Sequence, residues 1–245
     1  MRLMALSDQH ILITGAAKRI GREIALHLAK KGANLALHFN HSKTEAEELR
    51  KEISNLGVNC SLIQGDLSAV SNAVTLIKEA EKWAPLSSLI NNASLFGSED
   101  YSTTSPQDWQ KHLNINLSAP FFLSQQLIES AKQAKRQVRI INMLDWRALR
   151  PSGDHFAYTI SKAGLASLTK ALASAAAPHA IVNGIALGAI LPPKTGQTPK
   201  DILKSIPRDR WGRVEEVAQT VEFLLTGSDY ITGEIIHLDG GRHLV

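Results

Sequence analysis

Apolar residues along the chain fall into two alternating patterns. Short runs rich in Ile, Leu and Val carry no polar face: "HILITG" from His10, "NLALHF" from Asn34, "NCSLIQ" from Asn59, "LSSLIN" from Leu86, "VRIINM" from Val138, "IVNGIA" from Ile181 and "EIIHLD" from Glu234. Strands of this kind are expected where both faces of a sheet are covered. Between them, longer amphipathic stretches predict helices near residues 19–31, 43–56, 69–83, 106–134, 154–177 and 214–225. Strand–helix alternation of this length predicts an α/β fold. Its expected form is one doubly wound parallel sheet of about seven strands, with helices on both faces and right-handed crossovers. No linker, low-complexity tract or solenoid repeat interrupts residues 1–245, which predicts a single domain. One irregular stretch, residues 187–209, contains Pro192, Pro193, Pro199 and Pro207. A loop of that length in a compact domain is expected to be a lid over a binding site.

Composition narrows the picture modestly. At 44% hydrophobic residues the chain can build a full core, which excludes a disordered class. A net charge of +4 either favours an anionic ligand or is an ordinary solvated surface, and both readings stay open. The densest basic run, Lys132, Lys135, Arg136 and Arg139, closes a predicted helix, where cations oppose the negative end of the dipole. It is read as structural, and no nucleic-acid partner is expected. One cysteine, Cys60, excludes an intramolecular disulfide and fits a reducing compartment. The apolar run at the N-terminus is short for a secretory signal, and none reaches the ~20 residues of a membrane span. A cytoplasmic protein without a membrane partner is expected, and no metal site is foreseen.

The first strand leads into "TGAAKRIGREIALHLAKKG", a turn followed by a helix. Gly15 permits the sharp turn, Gly21 lets the helix pack closely, and the exposed amides at the helix start offer a place for a pyrophosphate. A glycine turn alone is a weak signal, but its place at the first strand–helix junction predicts a Rossmann-type site.

"TGAAKRIG" resembles the TGxxxGxG fingerprint of the short-chain dehydrogenase/reductase family, with Arg19 in place of the middle glycine. The form TGAAKR–aliphatic–G, here with Ile20, is similar to that of the family's pteridine reductases. The substitution puts a cation beside the phosphates, able to make a bidentate contact with an oxyanion. At the end of the second strand, a carboxylate would favour NAD and repel a 2′-phosphate. The sequence has His38, Asn40, His41 and Ser42 there, with Lys18 and Arg19 near, which implies NADPH as cofactor. The pteridine reductases have a histidine–aromatic–histidine–arginine–serine run at this place, and the chain departs from it at Asn40 and His41. The resemblance further implies cofactor contacts by Asp66 and Leu67 of "QGDLS", by Asn92, Ala93 and Ser94 of "INNASLFG", and by Gly188. Asn116 in "NINLSAP" matches the asparagine that supports the active-site lysine through water.

Tyr158 and Lys162 are four residues apart within a predicted helix and share a face. Reduction of a C=O or C=N bond takes a hydride on carbon and a proton on the heteroatom. A free tyrosine titrates near ~10. A neighbouring ammonium and the nicotinamide charge are expected to bring it toward neutrality. Thirteen residues before the tyrosine, where the family has a serine, stands Asp145. A carboxyl group can accept from a ring N–H or pass a proton to a ring nitrogen. Pteridine reductases have an aspartate here. The alternative is a loop aspartate capping the turn before the next helix.

Phe96 falls where those reductases hold the pterin against the nicotinamide, and stacking supplies area and orientation together. The resemblance therefore implies catalysis by Asp145, Tyr158, Lys162 and Asn116, and a pterin held by Arg19, Ser94, Phe96, Asp145 and Tyr158. Trp146, Arg147 and His155 flank these positions and either line the pocket or pack; Trp211 is read as core or interface. Leu187 precedes Gly188 where the family has proline, which alters the loop over the nicotinamide. The resemblance covers nearly the whole chain, through "ITGEIIHLDGGRHLV", and implies a homotetramer in which Arg242 or His243 reaches a neighbouring site. Two other functions stay open: a carbonyl or 3-oxoacyl reductase of the same fold, and a non-catalytic NADPH-sensing module.

Overall fold

The computed structural model describes residues 5–191 and 200–245. Seven strands form one parallel sheet in the order β3-β2-β1-β4-β5-β6-β7. They are β1 (His10–Ile13), β2 (Asn34–Phe39), β3 (Cys60–Gln64), β4 (Ser88–Asn91), β5 (Val138–Asp145), β6 (Ala180–Leu187) and β7 (Ile235–Leu238). All seven expected runs are strands, and the doubly wound sheet is as expected.

Strand periodicity sorts the core. Successive side chains point to opposite faces, so Ile11 and Ile13 join Ile24, Leu28, Val221 and Leu225 on one side. Leu12 joins Leu76, Ile77, Leu123 and Leu127 on the other. The first layer holds helices α1 (Arg19–Lys30), α2 (Lys43–Ser54) and α8 (Val214–Thr226), which supply Ile24, Leu49 and Val221 to it. The second holds α3 (Ser71–Glu81) and α5 (Ala119–Gln133), with Ala173 of α6 (Phe156–Ala175) packed into the same cluster. Burying an aliphatic side chain of this size contributes roughly 1.5–3 kcal/mol, so these two layers dominate stability.

The stretch 106–134 is not one helix. It divides into α4 (Pro106–Leu113), a π-helical turn (Asn114–Ser118) and α5. Apolar periodicity runs through all three, so the interruption left no mark on the pattern. The expected lid lies only partly in view: residues 192–199 fall outside the described residues, while α7 (Lys200–Lys204) follows them. Of the basic run, Arg139 lies within β5 and donates to Leu224 O at 3.0 Å and Gly227 O at 3.1 Å. Arg136 donates to Leu86 O and pairs with Glu81. Both therefore serve the fold. Among the described residues, no helix is long and apolar enough to cross a membrane.

Candidate active site

Strand order reverses direction at β1 and β4, where crossovers leave to opposite sides. Ligands bind in the crevice at the carboxyl ends of such strands, and a cleft of about 980 Å³ opens there. Of the expected residues, Gly15, Lys18, Arg19, Ile20, Gly21, His38, Asn40, Asp66, Leu67, Asn92, Ala93, Ser94, Phe96, Asp145, Tyr158, Lys162 and Gly188 line it. His41 and Ser42 are not among the lining residues; Ser42 occupies the N-cap position of α2.

One wall is made of backbone. Gly15 has φ +62°, and a Cβ on it would stand 3.0 Å from Ala93 Cα. At Gly21 a Cβ would strike Gly15 O and come within 2.6 Å of Asn92 Nδ2. Thr14 ties the two loops together: its hydroxyl accepts from Asn92 N at 2.9 Å and Ala93 N at 3.0 Å. Asn92 Nδ2 returns bonds to Thr14 O at 2.9 Å and Gly15 O at 3.1 Å. Thr14 was not singled out in the sequence, although "TG" at the strand end carries it.

His38 differs from its expected use. Its Nδ1 accepts from Gly15 N at 3.2 Å, and its Nε2 donates to Gly65 O at 3.0 Å. Burial lowers its pKa to about 4, outweighing the bond to Gly65. The ring is a neutral brace between turn and strands, not a cation for a phosphate. Lys18 pairs with Glu45 at 2.5 Å, whereas Arg19, at φ +55°, stands exposed on the cleft wall. Asp66 accepts from Ser68 N and Oγ at 2.9 and 2.7 Å, and these bonds hold its carboxyl below the ordinary range.

The reacting groups meet at the end of β5 and the start of α6. Tyr158 Oη donates to Asp145 Oδ2 at 3.0 Å. Asp145 also accepts from Arg147 N at 2.9 Å, so it caps the short 3₁₀ turn Trp146–Ala148 as well. The capping reading and the catalytic reading describe the same carboxylate. Burial, then the charge of Asp145 and its hydrogen bond, raise the Tyr158 pKa well above the usual phenol. The net shift is thus upward, against the lowering expected from Lys162 and the nicotinamide charge together. Lys162 Nζ donates to Met143 O at 2.8 Å, and burial brings its pKa down to about 8. Exchanging the serine for an aspartate reverses the sign: an anion beside a phenol keeps the phenol protonated.

Asn116 is fully buried in the π-helical turn. Its Oδ1 accepts from Leu95 N at 2.8 Å and Ser94 Oγ at 3.2 Å. Its Nδ2 donates to Leu95 O at 2.9 Å and Ser161 Oγ at 3.0 Å. It thus fastens the loop bearing Ser94 and Phe96 to α6, one residue before Lys162. A π-bulge at a functional position is a common association.

The opposite wall is made of side chains. Phe96, 57% exposed, stands edge-on to Tyr158 with centroids 4.7 Å apart. His155 backs it at 4.3 Å and donates from Nδ1 to Gly97 O at 2.5 Å. Trp146 has a guanidinium on its ring from Arg242 at 4.3 Å and another, Arg147, at 5.1 Å. Trp211 also lines the cleft, and its buried Nε1 has no hydrogen-bond partner among the described residues. Arg242 lines the cleft of its own chain.

This arrangement defines an oxidoreductase site, and comparison with known proteins places it. Residues 15–243 match the family model described as enoyl-(acyl carrier protein) reductase, and the chain belongs to the short-chain dehydrogenase/reductase family. It is 32% identical to the 3-oxoacyl-[acyl-carrier-protein] reductase FabG of Staphylococcus epidermidis, over 97% of this chain and 100% of that one. Among solved structures, it resembles FolM alternative dihydrofolate reductase 1 from Brucella canis complexed with NADP. That likeness has TM-score 0.90 and 32% identity, covering 99% of this chain and 97% of the other. A blue fluorescent protein from a metagenomic library, in complex with NADPH, has TM-score 0.89 and 27% identity, covering 98% and 99%.

Proposed function

We propose that this enzyme is an NADPH-dependent pterin reductase. The observation that carries the reading is the 3.0 Å hydrogen bond from Tyr158 to a carboxylate, Asp145, beside the exposed ring of Phe96. A ketone needs one proton donor, which a tyrosine beside a serine supplies. A ring C=N needs a donor whose proton is retained until hydride arrives, and next to it a group that can accept an N–H. The FolM protein is named as a dihydrofolate reductase, which supports this reading.

The cofactor is NADP(H). The backbone wall fits a dinucleotide: no side chain obstructs the turn at Gly15 and Gly21, and β2 ends without a carboxylate. Related structures hold NADP or NADPH. Gly15, Ile20, Asn92 and Gly188 would hold it, with Arg19 as the cation on the wall. Bound there, the cofactor supplies the hydride. Tyr158 then gives its proton to the ring nitrogen, and Asp145 steadies the hydroxyl until that moment. Lys162, fixed on Met143 O, holds positive charge beneath the phenol as it becomes phenolate. Phe96 aligns the flat substrate.

A second reading, 3-oxoacyl reduction, is favoured by the FabG relative. One experiment separates them: kcat/KM for dihydrobiopterin, dihydromonapterin, folate and an acetoacetyl thioester, each with NADPH and with NADH. A pterin should be the best substrate and NADPH the better donor. Turnover of the thioester with none of any pterin would replace this reading with the second.

A further inference from the structure

Beyond Asp145, the side-chain wall carries a charge that proton transfer does not use. Two guanidinium groups lie on the indole of Trp146, and their company differs. Arg147 donates from Nη2 to Asp154 at 2.8 Å and lies 3.6 Å from Asp145. Arg242 rests on the indole at 4.3 Å. Among the described residues its guanidinium has no hydrogen-bond or ion-pair partner, and the carboxylates of Asp145, Asp154 and Asp239 act on it only from longer range. Burial, and then the like charge of Arg147, hold its pKa below the ordinary guanidinium value.

The backbone around Arg242 is built to keep it there. Asp239, almost fully buried, accepts from Gly241 N and His243 N at 2.9 Å each. Its carboxylate also takes the His243 ring at 2.9 Å. Gly240 and Gly241 have φ +65° and +87°, and a Cβ on Gly240 would stand 2.7 Å from Ile206 Cγ2. The turn is therefore confined to glycine, and it delivers Arg242 to the cleft wall that Trp146 and Asp145 share. A guanidinium lying flat on an aromatic face keeps its N–H edge free, in a fork that matches a carboxylate or phosphate. Fixed in advance, it loses little freedom on binding.

We infer that Arg242, stacked on Trp146, is an anion subsite at the end of the substrate cleft, and that the preferred pterin carries a carboxylate or phosphate on its tail. This rests on the pterin reading above and adds the substrate class. The same chain supplies both the subsite and the reacting groups.

The test is a selectivity ratio. With NADPH, kcat/KM is measured for dihydrobiopterin (neutral tail), dihydrofolate (carboxylates) and dihydroneopterin monophosphate (phosphate), in the natural protein, Arg242→Gln and Arg242→Lys, at low and high salt. The natural protein should prefer one anionic substrate over the neutral one by about tenfold or more, the strength of a charge-assisted pair. That preference should act through KM, weaken with salt and collapse in Arg242→Gln. Arg242→Lys, with charge but no fork, should recover part of it. Whichever anion gains more identifies the tail chemistry, and either result supports the subsite. Pterin turnover with the same ratio in the natural protein and Arg242→Gln overturns the subsite and leaves the pterin reading intact. Absence of turnover on all three pterins overturns both.

Discussion

The two walls of the cleft are built of different material. On the β1–β4 side, surfaces are backbone held by short bonds: Gly15 and Gly21 clear the space, while Thr14 and Asn92 lock the loops at 2.9–3.1 Å. On the β5–α6 side, surfaces are side chains: Phe96, which is exposed, and the half-buried Asp145, Trp146 and Arg242. A wall of peptide groups recognises what every dinucleotide shares. A wall of side chains recognises one substrate among many. Substrate choice within one fold is therefore a matter of the second wall, where this chain has Asp145 in the place of the family's serine.

The comparison breaks most sharply at Tyr158, which joins Phe96 and Asp145 in the cleft. Tyr158→Phe keeps the ring that stacks edge-on to Phe96 and removes only the proton donor. The expected outcome is a fall in kcat of about 10²- to 10⁴-fold, with NADPH affinity nearly unchanged by fluorescence titration. Comparable losses in affinity and rate would mean that Tyr158 belongs to the cofactor wall instead.

Next comes Gly21. A methyl there meets Gly15 O, a backbone atom, and stands 2.6 Å from Asn92 Nδ2, a side-chain end held in place by its bonds to Thr14 O and Gly15 O. Gly21→Ala should destabilise the fold by about 1–3 kcal/mol, as overpacking does, read by urea unfolding. It should also weaken NADPH binding more than substrate binding. An unchanged unfolding midpoint would show that the backbone wall yields readily, and the contrast between the walls would lose its basis.

The same division explains what was legible in the sequence. Strands β1 to β7 followed from unbroken apolar runs, because a sheet covered on both faces leaves little room for polar residues. The backbone wall was legible because glycine and asparagine motifs sit next to one another in the chain, at strand ends. His38 was visible as a position but not as a brace, because its two bonds reach Gly15 and Gly65 from a strand between them. The π-helical turn at Asn116 was hidden, since helical periodicity survives one extra residue. Arg242 and Trp146 are 96 residues apart in the numbering, and no spacing rule announces a stack made by tertiary packing. Asp145 was legible by interval, but its effect on Tyr158 was not: a lowering was expected from Lys162 and the nicotinamide charge, whereas an anion beside a phenol acts with the opposite sign.

That sign supplies the finest test. Lys162 has a pKa of about 8, lowered by burial and held up in part by the charge of Asp145. It is an ammonium below that value and neutral above, so kcat/KM should decline as pH rises through about 8. Asp145→Asn keeps an oxygen that accepts from Tyr158 and removes the charge. Without the anion, Lys162 loses its proton at lower pH; Tyr158, whose pKa the same anion raises, does so too. Both shifts move the alkaline limb of the pH–rate profile toward acid. The measurement is kcat/KM from pH 6 to pH 10 for the natural protein and the variant, a range on the order of the ordinary values of these groups. A limb displaced toward alkali, or not displaced, would mean that the Asp145 charge does not reach the lysine and phenol. The carboxylate would then be a cap for the turn at Trp146 and nothing more.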